Sequence, residues 1–310
     1  MCQMKQINEF KSLPELIMYF STEAVCLKYL EQWVHKGNIR CQYCGTDKVY
    51  RFKDGKRFRC SSCLEYFTAK VGTIFESSKL PLVKWYTAIY LLSAHKKGVS
   101  SHQLARDLHV TQKTGWFMLH RIRKAMQQDS IMMDGIVEAD ETFIGGKNKN
   151  RHKNKKFKNS QGRSFQDKVA VMGLLQREGK VKTVVIGNTQ GENIRRVVFG
   201  NVQTGSTLIS DEWWAYRNMN QFYRHEVVDH ARGQYVNENG ATTNSMEGFW
   251  AHLKRSLGGI YHRVSPKHLQ KYIDEITFRW NTRKMNEGQR LSLLMSKVNC
   301  RLKYKQLVYE

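Results

Sequence analysis

The chain has 310 residues, with 51 Lys and Arg against 27 Asp and Glu, for a formal net charge of +24. That length allows two or three compact domains with a sizeable core, and the charge favours a polyanionic partner, nucleic acid ahead of an anionic membrane surface. No stretch is apolar for long enough to span a bilayer, and Met-Cys-Gln-Met-Lys-Gln at the start lacks the layout of a secretory signal, so a cytoplasmic protein is expected.

Five regions follow one another: a helical segment over 1–36, a metal-binding ribbon over 37–70, a helical domain over 71–130, an α/β domain over 131–290 and a tail over 291–310. Residues 11–36 read as helical and carry no functional signal. Cys41-x-x-Cys44 and Cys60-x-x-Cys63 then form two knuckles separated by fifteen residues. Each knuckle offers two thiolates at the spacing needed to share one tetrahedral Zn²⁺, and four thiolates leave no open position, so the metal is structural. Cys2, Cys26 and Cys300 are scattered and read as ordinary thiols. Between the knuckles, basic and aromatic residues alternate around the turn signal Asp54-Gly55. Arg51, Lys53, Lys56, Arg57 and Arg59, interleaved with Tyr50, Phe52 and Phe58, suit a DNA backbone. The alternative is a protein-contact module with solvated charges.

An apolar helix is predicted over 80–95, with Pro81 near its start. A short helix capped at Ser100 or Ser101 follows, burying Leu104, Ala105 and Leu108. A second, capped at Thr111, carries Trp116, Leu119, Ile122 and Met126 at helical spacing. This is a helix-turn-helix pattern in which Thr111, Gln112, Lys113 and Thr114 would meet base edges. A plain helical hairpin is the alternative.

From about residue 134 the pattern changes. Strands are expected at 136–140, 168–175, 181–186, 207–210 and 226–228, a helix at 193–199, and long helices from about Asn244. Strands followed by alternating strand and helix imply an α/β layer with a mixed sheet. Asp140 and Asp211 each end an apolar run, and Glu247 lies on a helix whose stripe is Met246, Phe249, Trp250, Leu253 and Leu257. Two strand-end aspartates and a helical glutamate can hold a pair of hard divalent cations, Mg²⁺ or Mn²⁺, that clamp a phosphodiester during in-line displacement. Lys254, seven residues after Glu247, shares its face and suits a phosphate contact. Glu138 shares Asp140's strand face but lies farther from the strand end, and is expected to be dispensable for the reaction. Glu141 and Glu212 point the other way. Trp213, Trp214 and Tyr216 suit either a core or stacking on splayed bases. The run 147–158 carries no acid, and its Lys147 and Arg151 are candidate DNA contacts.

Together these residues resemble the DDE transposases of bacterial insertion sequences, in the branch with an N-terminal zinc ribbon. The likeness rests on the four cysteines, Ala139-Asp-Glu-Thr-Phe-Ile-Gly-Gly-Lys147, Ser210-Asp-Glu-x-x-x-Tyr216 and Thr243-Asn-Ser-Met-Glu-Gly-Phe-Trp-x-x-Leu-Lys-Arg255, and continues to Phe278-Arg-Trp-Asn-x-Arg283. It implies an RNase H-like fold, motif carboxylates at Asp140, Asp211 and Glu247, the helix lysine at Lys254 with Arg255 beside it on DNA, and at least a dimer on DNA. Where the family often reads His-Thr-Asn, this chain has Thr242-Thr243-Asn244. Some relatives use Asn as third ligand, which makes Asn244 a rival to Glu247. The expected protein is a transposase that cleaves its element's ends and joins the 3′-hydroxyl to target DNA, in the cytoplasm and on the nucleoid when DNA-bound. The alternatives are a non-catalytic zinc-ribbon and helix-turn-helix regulator, and a metal-dependent nuclease.

Overall fold

The structure, a computed structural model, describes residues 6–146, 148, 152–158, 168–211, 213–228 and 242–309. Its contacts divide the chain into two compact units, Met1–Gln127 with Thr282–Glu310, and Gln128–Asn281.

The first unit opens with helices α1 (Leu13–Tyr19) and α2 (Glu23–Val34). Ser12 and Thr22 cap them, their hydroxyls accepting from the backbone N–H of Glu15 and Val25. The ribbon follows as a three-stranded antiparallel sheet of β1 (Val49–Arg51), β2 (Arg57–Cys60) and β3 (Tyr66–Thr68). Gly55, at φ +66°, makes the β1–β2 turn, and the Asp54 carboxylate accepts from the N–H groups of Lys56 and Arg57. Phe58 and Phe67 pair across the sheet and are buried, while Tyr50, Arg59 and Tyr66 form an exposed row on its other face.

Helix α3 (Leu82–Ala94) is apolar nearly all round and buried nearly all round. α4 (Ser101–Leu108) and α5 (Gln112–Ala125) follow, capped by Ser100, one of the two serines the sequence offered, and by Thr111 as expected. His109 turns the chain between them in the left-handed region, at φ 49°. Gly115 lets the two helices touch: a Cβ there would lie 3.0 Å from the Ser101 carbonyl oxygen. Leu119, Ile122 and Met126 are core, and Trp116 is partly buried.

The second unit is a five-stranded mixed sheet in the order β6-β5-β4-β7-β8. β4 (Ile136–Gly145), β5 (Lys168–Gln176) and β6 (Val181–Ile186) form an antiparallel meander. α6 (Gly191–Phe199) crosses over to β7 (Thr207–Asp211), which runs parallel to β4, and β8 (Arg224–Val228) runs parallel to β7. This is the RNase H-like arrangement. One face buries Val137, Ala139, Met172, Leu174 and Leu208 with Ile194 and Val198 of α6. The other buries Val171 and Leu175 under α7 (Asn244–Ser256) and α8 (Leu269–Asn281). α7 ends in a wider π turn at Leu257–Tyr261.

β4 is longer than its apolar run suggests. Expected to stop at Asp140, it pairs with β5 as far as Gly145↔Lys168. Ladder hydrogen bonds to β5 hold Glu141 and Thr142 in the strand despite their polarity. The last helices, α9 (Glu287–Ser296) and α10 (Tyr304–Tyr309), belong to the first unit. α9 packs on α3, with Tyr90 donating to Glu287 at 2.8 Å and Gly288 set against the Asn8 carbonyl.

Behind α7, Glu275 and Arg279 form a fully buried ion pair, and the Tyr261 hydroxyl also donates to Glu275. Removing one partner leaves a charge in the core, which typically costs about 3–5 kcal/mol. Glu275→Ala is therefore expected to lower unfolding free energy by roughly that amount in urea melts, while Glu192→Ala, in an exposed pair with Arg196, stays within about 0.5 kcal/mol of the parent.

Candidate active site

The parallel ladder between β4 and β7 ends at Glu138↔Ile209. Two residues farther along each strand are Asp140 and Asp211, level with each other and on one face of the pleat. Asp140 thus sits mid-strand with respect to β5 and at the strand end with respect to β7. Side chains here leave the sheet beside an open cleft, as is usual at the carboxyl ends of strands in α/β sheets.

α7 forms the cleft's other wall. Gly173 of β5 pairs with Asp140, and a Cβ at Gly173 would lie 1.9 Å from Met246 Cε and 2.7 Å from Trp250 Cζ2. The missing side chain lets α7 lie flush on the sheet. Trp250 Nε1 then donates to Asp140 Oδ2 at 2.8 Å, while the Glu141 N–H donates to Oδ1 at 2.8 Å. The cleft is lined by Asp140, Glu141, Thr142, Glu247, Trp250, Ala251 and Lys254. Glu247 and Lys254 are both exposed on α7, two turns apart on the cleft side. Asn244, at the start of α7, is exposed and not among the lining residues.

Asp140, Glu141 and Asp211 each bring a carboxylate oxygen within 4.8 Å of the other two. Glu141 does point to the opposite face, where it accepts from the buried Tyr216 hydroxyl, yet it remains within this group. Asp211 accepts from the Trp213 N–H at 3.2 Å. Burial, and next the charge of Asp211, push the Asp140 carboxyl up to about 6; the Trp250 and Glu141 donors oppose that rise and Glu247 adds to it. The cleft thus gathers anionic groups, and burial together with Asp211 makes the charge of Asp140 costly.

Glu138, expected from its position to be dispensable for the reaction, is held within the fold rather than standing free beside Asp140. It is fully buried and accepts from Arg177 Nε at 3.2 Å and from the Met246 N–H at 2.9 Å. Of the aromatic trio, Tyr216 is core, Trp213 packs against the core edge, and Trp214 is exposed. Glu212, Lys147 and Arg151 lie outside the described residues.

In the first unit, the Sγ atoms of Cys41, Cys44, Cys60 and Cys63 all lie within 4.8 Å of one another. The N–H groups of Ser62 and Cys63 point at Cys60 Sγ, at 3.3 and 3.4 Å. The surrounding basic residues are partly engaged within the unit. Arg51 pairs with Glu31, Arg57 pairs with Asp54 and lies over Phe52, and Arg59 lies over Tyr66. On α5, Gln112 donates to Ser101 and Lys113 lies over the Tyr304 ring. Lys53 and Arg255 are exposed, and Arg255 Nε donates to the Ala251 carbonyl of its own helix.

Residues 132–281 match the ISXO2-like transposase domain, and residues 21–65 match the transposase zinc-ribbon domain. The chain belongs to the zinc-ribbon-bearing DDE transposases of insertion sequences. A protein of the transposable element ISH50 of Halobacterium salinarum is 26% identical over 275 residues, which is 85% of this chain and 92% of the relative. Two solved structures are distantly similar. A chain of the simian T-cell lymphotropic virus intasome shares 13% identity over 57% of this chain and 64% of its own length, with a TM-score of 0.29. The Mos1 transposase in its paired-end complex shares 15% over 64% of this chain and 71% of its own, with a TM-score of 0.26. The aligned part is just under two thirds of the intasome chain.

Gly173 and Arg177 carried no expectation from the sequence, and Trp250 was expected only as part of an apolar stripe. A signal existed for the first, since a lone Gly inside an apolar strand marks a close approach by other atoms. Gly173→Ala is expected to push α7 outward and to cost about 1–3 kcal/mol by overpacking. Urea melts measure the cost, and unchanged stability would contradict the flush packing.

Proposed function

We propose that the chain is an active transposase that binds the ends of its own element, cleaves the DNA there and joins the freed 3′-hydroxyl to target DNA. The observation that carries this reading is the juxtaposition of Asp140 and Asp211 beside a cleft that also holds Glu247 and Lys254. The all-oxygen donor set suits Mg²⁺ or Mn²⁺. The raised Asp140 carboxyl fits as well, because a cation would offset the repulsion from Asp211.

Asp140, Asp211 and Glu247 would hold the metal. When bound, a divalent pair supplies an activated nucleophile and stabilises charge on the leaving oxygen. The chain's own residues do the rest. Trp250 fixes the rotation of the Asp140 carboxylate, and Tyr216 fixes Glu141. Lys254 offers a cation to a phosphate oxygen across the cleft from Asp140 and acts as a contact rather than a base. Cleavage and joining are both in-line displacements at phosphorus, so one site serves both.

DNA would be held by the ribbon and the helix-turn-helix-like segment. Lys53, Arg57 and Arg59 would meet the backbone, with Arg51 contributing if its pairing with Glu31 opens. Gln112 and Lys113 at the exposed start of α5 would enter a groove. Lys147, Arg151, Lys254 and Arg255 would follow the DNA at the catalytic domain. Four thiolates in the ribbon would hold one structural Zn²⁺. The chain would work on cytoplasmic, nucleoid DNA as at least a dimer.

The reading is tested with end DNA, Mg²⁺ and the variants Asp140→Asn, Asp211→Asn and Glu247→Gln. Cleavage and strand transfer should both fall by about a thousandfold or more, while gel-shift binding of the ends persists. Retained strand transfer in all three would overturn the reading, and cleavage without joining in the parent would leave a nuclease. Asn244→Ala should keep activity; its loss beside an active Glu247→Gln would move the third ligand to Asn244.

For the ribbon, elemental analysis should find one zinc per chain, lost in Cys63→Ser together with end binding, while the sheet unit stays folded. Well-folded parent protein without zinc would refute this.

A further inference from the structure

Glu138 stands one pleat before Asp140 on the same face of β4 and has no solvent exposure. A carboxylate buried that deeply needs donors, and among the described residues it has two. One is Arg177 Nε at 3.2 Å, and the other is the backbone N–H of Met246 at 2.9 Å. Arg177 also reaches the Thr242 carbonyl through Nη2, at 3.1 Å. All three contacts converge on the start of α7.

The first N–H groups of a helix have no partner within it and are usually met by the side chain of the N-cap residue. At α7 that residue is Thr243, whose side chain makes no capping bond. Met246 is the third residue of the helix, the usual target of such a cap. Its N–H is met instead by a strand residue more than a hundred positions earlier in the chain. The negative charge also complements the positive end of the helix dipole. Glu247 is the next residue after Met246, and Trp250, one turn on, holds Asp140.

We infer that Glu138 is a positioning residue, a cap delivered from β4 that sets the start of α7 and thereby holds Glu247 across the cleft from Asp140. This rests on the reading of Glu247 as acting with Asp140 and Asp211. A buried ion pair serving stability alone would predict something else. Its main requirement would be the charge that meets Arg177, and neutral Gln would then forfeit most of that contribution, keeping only a neutral acceptor for Arg177. A cap requires only an oxygen acceptor at the Met246 N–H, which Gln retains.

The test uses the full-length protein and two readouts that need no DNA. The first is amide hydrogen exchange at Met246 in the metal-free protein. The second is Mn²⁺ binding followed by electron paramagnetic resonance. Glu138→Met fills the volume without an acceptor. It should reduce Met246 protection about tenfold and weaken Mn²⁺ binding by a similar factor, about the value of a lost cap. Glu138→Gln should keep both within about threefold of the parent. In a Glu247→Ala background, Glu138→Met should weaken Mn²⁺ binding no further, because residues acting through one another are non-additive.

Unchanged Met246 protection in Glu138→Met would overturn the cap. Full additivity with Glu247→Ala would overturn the route through Glu247. Should Glu138→Met not fold, Glu138→Gln decides: retained protection supports the cap, and its loss overturns it. If Asp140→Asn and Glu247→Ala both leave Mn²⁺ binding untouched, the metal-site reading falls while the exchange arm still judges the cap.

Discussion

The close approach of α7 to the sheet is the constraint on which the catalytic domain's geometry depends. A helix packed on a sheet normally stands off by the length of the side chains between them. Here β5 carries no side chain at Gly173, so Met246 and Trp250 rest on the strand backbone beside Asp140. That contact brings Glu247 and Lys254, which are far from Asp140 in sequence, to the wall of the same cleft. It also places the Trp250 ring nitrogen where it can hold one oxygen of Asp140. The apolar stripe of α7 supplies the driving force, since Met246, Phe249, Trp250 and Leu253 are all buried.

Two carboxylates on one strand face have opposite circumstances. Glu138 is sealed from water, but Arg177 and a helix N–H supply donors, one of them cationic. Asp140 lies nearer the cleft, where its donors are neutral and its charged neighbours Asp211 and Glu247 are anions. Burial and repulsion make its negative charge costly, a cost that a divalent ion would offset and that protonation removes. One position is met by donors within the fold, and the other lines the cleft.

The helical and ribbon unit spends part of its cationic surface internally. Arg51 and Arg57 have carboxylate partners, and Arg59 rests on an exposed tyrosine. The net charge of +24 therefore describes the whole chain better than any single patch. Still, the row of Tyr50, Arg59 and Tyr66 on an open sheet face keeps aromatic and cationic groups together at the surface. The pairing Arg51–Glu31 also ties the ribbon to α2, so the ribbon is braced from within its own unit.

Local pattern determined much of this protein before any tertiary contact was known. Cys41, Cys44, Cys60 and Cys63 read as one site because knuckle spacing is a property of a few consecutive residues, and the four sulfurs do converge. Thr111 and one of Ser100 and Ser101 read as caps, and the apolar runs read as strands, for the same reason. Asp140 and Asp211 stood out because each ended such a run. Tertiary structure alone decided how far β4 extends, because the ladder to β5, not polarity, holds Glu141 and Thr142 in line. It alone returned residues 282–310 to the first unit, since nothing in their sequence names a partner such as Tyr90 or Asn8. And it alone showed what Glu138 and Asp140 each meet. Periodicity says which face a side chain takes, but what it meets there depends on strand register and on a helix arriving from a hundred residues away.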